Sequence, residues 1–192
     1  MNDRATLRRG VYPGTFNPPT VAHLAVADAA RAQRGLHTVD LVLSRRPINK
    51  EHVEVPSFAD RVAVLEAVSR RIGWLQVKVT EATLIVDIAE GYDVVIMGAD
   101  KWEQVNDPRY YADEVARDDA VRRLPEVALA PRPPLDIPSG MALHLPDHFG
   151  EVSSSAVRAG QAHWMLPEAA EFDRRTGAWS DTDRYLRRPA GG

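Results

Sequence analysis

A chain of 192 residues, with 24 Lys+Arg against 27 Asp+Glu and a formal charge of −3, suits one domain with a substantial buried core. Its 44% hydrophobic and 27% charged content is that of an ordinary globular protein, and the near-neutral balance argues against a partner that coats nucleic acid. The chain has no cysteine, which excludes disulfides, thiolate metal sites, iron–sulfur clusters and cysteine nucleophiles. No apolar run approaches the roughly 18–20 residues of a membrane span; the best stretch, 83–89, is broken by Asp87. Residues 1–10 carry no apolar core of a secretory signal, so a cytoplasmic location and no membrane partner are expected.

In chain order, residues 7–12 read as a short strand that enters the turn Pro13-Gly14-Thr15-Phe16-Asn17-Pro18-Pro19. Ala22, Leu24, Ala25, Ala29 and Ala30 recur at helical spacing between Thr20 and Arg34, with Gly35 as the stop. Residues 38–44 read as a buried strand, followed by a polar loop from Arg45 to Pro56. Ser57 and Asp60 predict a reciprocal cap on a second helix, whose apolar face is Val62, Leu65 and Val68. A third strand is expected over 74–79, a short helix over 82–90 and a highly apolar fourth strand over 93–97. Asp107-Pro108 predicts the start of one helix reaching about Leu124. Residues 126–130 and 141–145 are later strand candidates, separated by a proline-rich loop.

Strand–helix alternation with fully apolar strands predicts an α/β domain with a doubly wound, Rossmann-like parallel sheet covered on both faces. The domain is expected over 1–172; the 173–192 stretch, rich in Arg, Asp and Gly, reads as a flexible tail. In such sheets ligands bind at the carboxyl ends of the strands, which singles out the loops after Tyr12, Ser44, Met97 and Leu145.

The dinucleotide fingerprint Gly-x-Gly-x-x-Gly and the P-loop Gly-x-x-x-x-Gly-Lys-Ser/Thr are both missing after the first strand. In their place stands Tyr12-Pro-Gly-Thr-Phe-Asn-Pro-Pro-Thr-Val-Ala-His23. Gly14 lets the backbone approach a ligand, and the amides of Thr15 and Phe16 can face phosphate oxygens. Thr20 and His23 share one face at a helix start, where backbone amides and the helix dipole favour an anion. A capping threonine and a packed histidine would leave the same pattern. Far along the chain, Ser153, Ser154 and Ser155 open a short predicted helix, with Arg158 one turn in. These groups could hold phosphate, or form only a serine cap beside a solvated arginine.

The two segments together resemble the nucleotidyltransferase superfamily marked by Thr/His-x-Gly-His and Ser-Ser-Thr-x-x-Arg motifs, over residues 11–172. Ser44-Arg-Arg-Pro-Ile-Asn-Lys50, Met97-Gly-Ala-Asp-Lys-Trp102 and Trp164-Met-Leu-Pro-Glu168 are similar to segments of nicotinate mononucleotide adenylyltransferases. The first motif's Tyr12-Pro-Gly and Thr20, and the stretch 79–87, look more like phosphopantetheine adenylyltransferase. Ala22 stands where the family has Gly, and Asn17 where it has Asp.

The resemblance implies an enzyme that transfers the adenylyl group of ATP to a phosphate monoester and releases pyrophosphate. Nicotinate or nicotinamide mononucleotide, in NAD biosynthesis, is the first acceptor it suggests. Phosphopantetheine or a cytidylyltransferase reaction is the second, and a nucleotide-binding protein without catalysis the third. It implies His23, Thr20, Arg158 and Lys50 as catalytic groups, and Gly14, Thr15, Phe16 and Ser153 to Ser155 as ATP-phosphate ligands. Arg46, Gly98, Asp100 and Trp102 are the implied acceptor ligands. Lys50 could instead be a solvated loop lysine, Asp100 a helix cap and Trp102 a core residue. Magnesium is expected to arrive on ATP with no protein metal cage, and a homo-oligomer is left open.

Overall fold

The computed structural model describes residues 7–46 and 55–188. Strand β1 (Arg9–Pro13) leads through the turn to helix α1 (Val21–Gln33), and β2 (Thr38–Ser44) to α2 (Phe58–Arg71). Then come β3 (Leu75–Thr80), the single turn α3 (Ile85–Ile88), β4 (Val94–Gly98) and α4 (Ala99–Asn106). A 3-10 turn at Pro108–Tyr110 precedes α5 (Glu114–Arg122) and β5 (Glu126–Ala130). The C-terminal part holds α6 (Ser154–Arg158), α7 (Pro167–Thr176) and α8 (Thr182–Leu186).

The five strands form one sheet in the order β3-β2-β1-β4-β5, and all four pairings are parallel. The chain moves outward from β1 to β3, then returns to place β4 on the other side of β1. The loops after β1 and β4 therefore diverge at the carboxyl edge, which opens a crevice there. The doubly wound α/β expectation is met.

Alternation along β2 shows how the two faces are filled. Val39, Leu41 and Leu43 pack with Val26, Ala27, Leu65 and Val68 of α1 and α2, while Val42 joins Val11, Val95 and Met97 on the opposite face. Asp40 also points to that second face and is buried, which is costly for a lone carboxylate. Tyr92 Oη donates to it at 2.7 Å and the Arg9 guanidinium lies 3.0 Å away, so the charge is matched.

Three expectations need correction. The helix predicted from Asp107 to Leu124 is divided: Asp107 caps only the 3-10 turn, and Asp113 caps α5 separately by accepting from Ala116 N at 2.8 Å. The strand predicted over 141–145 is reduced to one bridge between Leu129 and Ala142. The reciprocal Ser57–Asp60 cap is one-sided: Ser57 Oγ accepts from Asp60 N at 3.1 Å, but the Asp60 carboxylate accepts from Tyr185 Oη.

The largest correction concerns the expected tail. Residues 173–188 are folded, and Ala178, Trp179 and Tyr185 are buried with Val64, Val157, Met165 and Ala169 in a third cluster. Asp173, itself buried, accepts from Trp179 N at 2.7 Å and Ser180 N at 3.0 Å, which turns the chain after α7. Gly177 takes φ 76° there, a left-handed helix stop. Trp179 Nε1 then donates to Asn17 Oδ1 at 2.6 Å, linking the C-terminal segment to the loop after β1. Too few apolar residues stand at regular spacing here for periodicity to reveal the segment; two aromatic anchors hold it.

Trp179→Ala should therefore lower unfolding free energy by about 3–5 kcal/mol, the usual result of emptying a buried aromatic site. Denaturant unfolding would measure it, and a loss below about 0.5 kcal/mol, normal for a surface change, would restore the tail interpretation.

Candidate active site

The loop after β1 is shaped by close packing. Gly14 N donates to Val42 O at 3.0 Å, and a β-carbon on Gly14 would sit 3.0 Å from the Phe16 ring. Phe16 takes φ 45°, a left-handed conformation that strains a non-glycine residue by about 1–3 kcal/mol. Burial of its ring offsets this: the ring meets Tyr12 and His23 edge-on, at centroid separations of 5.6 and 5.2 Å. The turn presents the Thr15 and Phe16 amides, neither of which bonds to another described residue.

Thr20 and His23 cap α1 reciprocally. Thr20 Oγ1 accepts from His23 N at 3.4 Å, and His23 Nδ1 accepts from Thr20 N at 2.9 Å. The amide hydrogen aimed at Nδ1 requires a lone pair there, so the ring proton sits on Nε2. Burial, assisted by the positive charge of Arg132, pushes the His23 pKa down to about 4. At neutral pH the ring is thus an uncharged donor, held in one tautomer by its own helix cap. Thr20 is fully buried behind it and acts through His23.

His23 stands in the wall of a cavity of about 490 Å³ at the carboxyl edge of the sheet. The β2 side contributes Ser44, Arg45, Phe58 and Arg61; the β4–β5 side contributes Gly98, Asp100, Lys101 and Arg132. Tyr12, Tyr110 and Tyr111 add aromatic surface, and Ile85, Ile88 and Val105 an apolar strip. Among the described residues of the wall, four cationic side chains meet one carboxylate, Asp100. A chain of net charge −3 thus folds a locally positive pocket suited to polyphosphate.

Gly14, Thr15, Phe16, His23, Gly98 and Asp100 of the expected set lie on this wall. A β-carbon on Gly98 would meet Asp100 Oδ1, so a larger residue there would displace that carboxylate. The serine motif is placed otherwise. Ser153 Oγ accepts from Ala156 N at 3.1 Å as the cap of α6, and Ser154 Oγ donates to Pro18 O at 2.7 Å. Arg158 donates to Asn17 O and, at 3.2 Å, to Ser155 Oγ. These groups brace the loop after β1 and are not part of the cavity wall; Ser155 and Arg158 are exposed. Trp102 packs in the second core cluster, so the side chain is not a stacking platform in the cavity. Arg46 is exposed and 3.4 Å from Glu81. Lys50 lies outside the described residues.

Sequence reasoning missed Arg61 and Arg132. Arg61 sits in an amphipathic helix, where arginine normally marks the solvent face. Arg132 follows the end of β5, a loop the strand-end rule should have included. It donates to the carbonyls of Gly150 and Val152 at 3.2 and 3.3 Å, binding the approach to α6 to the pocket rim.

The depressed His23 pKa sets a pH dependence. Above about pH 6.5 the ring is neutral in both folded and unfolded chains; between about 6.5 and 4 only the unfolded chain takes up the proton. Stability should fall as pH drops through that window, by at most about 1.4 kcal/mol per pH unit from this group. Denaturant unfolding from pH 7 to 4 should show this slope reduced in His23→Asn, and an unchanged slope would contradict the shift.

A cytidylyltransferase-like family model matches residues 11–160. A phosphopantetheine adenylyltransferase of Roseiflexus sp. (strain RS-1) is 32% identical over 164 residues, 82% of this chain and 89% of that protein. A probable nicotinate-nucleotide adenylyltransferase of Salinibacter ruber (strain DSM 13855 / M31) is 40% identical over 57 residues, 30% of this chain and 29% of the relative. The structure of Plasmodium falciparum nicotinic acid mononucleotide adenylyltransferase complexed with APC overlays with a TM-score of 0.55 at 14% identity. That overlay covers 88% of this chain and 94% of the other, and it is a likeness of fold. With a locally positive crevice at the strand ends and a family match over most of its length, the chain belongs to the cytidylyltransferase-like family and is an adenylyltransferase.

Proposed function

We propose that the chain joins ATP to nicotinate or nicotinamide mononucleotide. An oxygen of the acceptor's phosphate attacks the α-phosphorus of ATP, the bond from that phosphorus to the bridging oxygen breaks, and pyrophosphate leaves with the electron pair. A phosphate monoester is largely dianionic at neutral pH, so the nucleophile needs no general base. What the protein must supply is alignment and stabilisation of charge on the phosphoryl oxygens.

The single observation behind the reaction is the Thr20–His23 pair, a neutral donor fixed at a helix N-terminus. In this scheme His23 Nε2 donates to an α-phosphate oxygen, and the Thr15 and Phe16 amides meet neighbouring phosphates. Ser155 and Arg158, both exposed, would receive the β- and γ-phosphates on leaving their present partners. Lys50, Arg46 and Arg45 would neutralise the acceptor side. Asp100 suits a ribose hydroxyl, since it is the lone carboxylate among the described wall residues.

The acceptor assignment rests on the wall itself. Tyr110 and Tyr111 in the wall suit a planar ring, and Lys101 and Arg45, the latter 4.6 Å from the Phe58 ring centroid, are cations for a ring carboxylate. A second reading, phosphopantetheine as acceptor, is favoured by the 164-residue match to such an enzyme and by the apolar strip of Ile85, Ile88 and Val105.

Among the described residues no group of three His, Asp or Glu side chains gathers to hold a metal ion. The pocket's chemistry suits Mg²⁺ delivered on ATP oxygens, with Asp100 within the wall to bind one of its waters. Such an ion supplies further charge neutralisation of the phosphates.

Pyrophosphate release should be measured with ATP and nicotinate mononucleotide, nicotinamide mononucleotide or phosphopantetheine in turn. Turnover is expected with a pyridine mononucleotide, and turnover with phosphopantetheine alone would replace the acceptor. His23→Ala should lower kcat about 100-fold or more while ATP affinity changes little, as for loss of one transition-state donor. Equal losses in both would contradict the assigned role.

A further inference from the structure

Arg61 projects from the first turn of α2 toward the cavity and is 93% buried by its 7% exposure. A guanidinium taken out of water normally lies against a carboxylate. Here, among the described residues, no carboxylate oxygen comes within 4.0 Å of it. The neighbouring Asp60 is committed elsewhere: its Oδ2 accepts from Tyr185 Oη and lies 3.6 Å from Arg188. Among the described residues Arg61 makes one hydrogen bond, from Nη1 to the neutral Thr15 O at 3.0 Å, and its guanidinium lies 5.3 Å from the Phe58 ring centroid. Its Nε–H is buried with no partner among the described residues.

A buried cation with an unused donor, open to a cavity and tied to the carbonyl of the turn that faces phosphate, calls for an anion in that cavity. Its position sharpens the requirement. Arg61 and Arg45 occupy the β2 side, Lys101 and Arg132 the β4–β5 side, with His23 between them. In-line transfer places one anionic group on each side of the reacting phosphorus, and the two cationic sides match that demand. The chain keeps Asp60 from neutralising Arg61 by engaging it with α8, the segment folded back from the C-terminus.

Resting on the adenylyl-transfer reading, we infer that Arg61 is a substrate-binding residue that grips a phosphoryl oxyanion on the β2 side of the cavity. The oxyanion belongs to either the acceptor's phosphate or ATP, and the two are separable. A bidentate guanidinium grip is not reproduced by an ammonium, so Arg61→Lys is informative as well as Arg61→Gln.

The test is calorimetric binding and steady-state kinetics on the intact chain and both variants. The probes are ATP, adenosine, nicotinate mononucleotide, nicotinate riboside, phosphopantetheine and pantetheine. The expected result is a loss of about tenfold or more in affinity, with a matching rise in KM, for one phosphorylated probe, while binding of its unphosphorylated counterpart is unaffected, as for losing a charge-assisted pair of hydrogen bonds. Selective loss for nicotinate mononucleotide or phosphopantetheine assigns the anion to the acceptor, and selective loss for ATP assigns it to the nucleotide. Unchanged binding of every phosphorylated probe, or equal loss with and without phosphate, would overturn the inference and leave Arg61 a brace for Thr15. If the intact chain turned over none of the esters yet still bound one through Arg61, the reaction would fall and the anion site would stand.

Discussion

The cap at the start of α1 is the constraint on which the site depends. A helix N-terminus leaves amides without intrahelical partners, and here one such end is closed by two side chains that bond to each other's backbone. Glutamate or glutamine commonly takes the second place in that motif. With histidine there, satisfying the backbone also fixes an imidazole tautomer and aims its remaining proton outward. Burial and Arg132 then keep the ring uncharged. One local hydrogen-bonding arrangement thus ends a loop, starts a helix and holds a neutral imidazole at the cavity wall.

Around that cap, the protein arranges support in layers. Phe16 tolerates a left-handed backbone because its ring fills the space between Tyr12 and His23. Asn17 is grasped at both ends, its carbonyl by Arg158 and its side chain by Trp179. Ser154 holds the carbonyl of Pro18. Elements separated by more than 130 residues therefore converge on the turn after β1. The serine motif, whose hydroxyls lie outside the cavity wall, thereby braces the backbone of the turn after β1. The same supports leave Arg61 and Arg132 facing the cavity, so the positive potential comes from placement within an acidic chain.

The parallel sheet, the first two helices and the Thr20–His23 pair were legible in the sequence because each leaves a local signal. Apolar runs mark strands buried on both faces, and a polar pair three residues apart marks a helix start. The C-terminal segment escaped because its order comes from Trp179 and Tyr185 docking on distant partners, which no local period encodes. Arg61 escaped for a related reason: its burial depends on how α2 lies against the turn after β1. Trp102 and the serine hydroxyls were legible as residues but not as positions, since sequence spacing does not say which way a side chain leaves a helix.

The state of the His23 ring is the claim that the rest requires. Nitrogen NMR of the imidazole, in protein labelled with ¹⁵N histidine, reports both tautomer and titration. The predicted result is a neutral ring protonated at Nε2 from pH 8 to 5.5, with protonation beginning only as the pH nears 4. A ring protonated at Nδ1, or one that titrates near the ordinary value of 6.5, would contradict the capped-donor arrangement and the phosphate chemistry built on it.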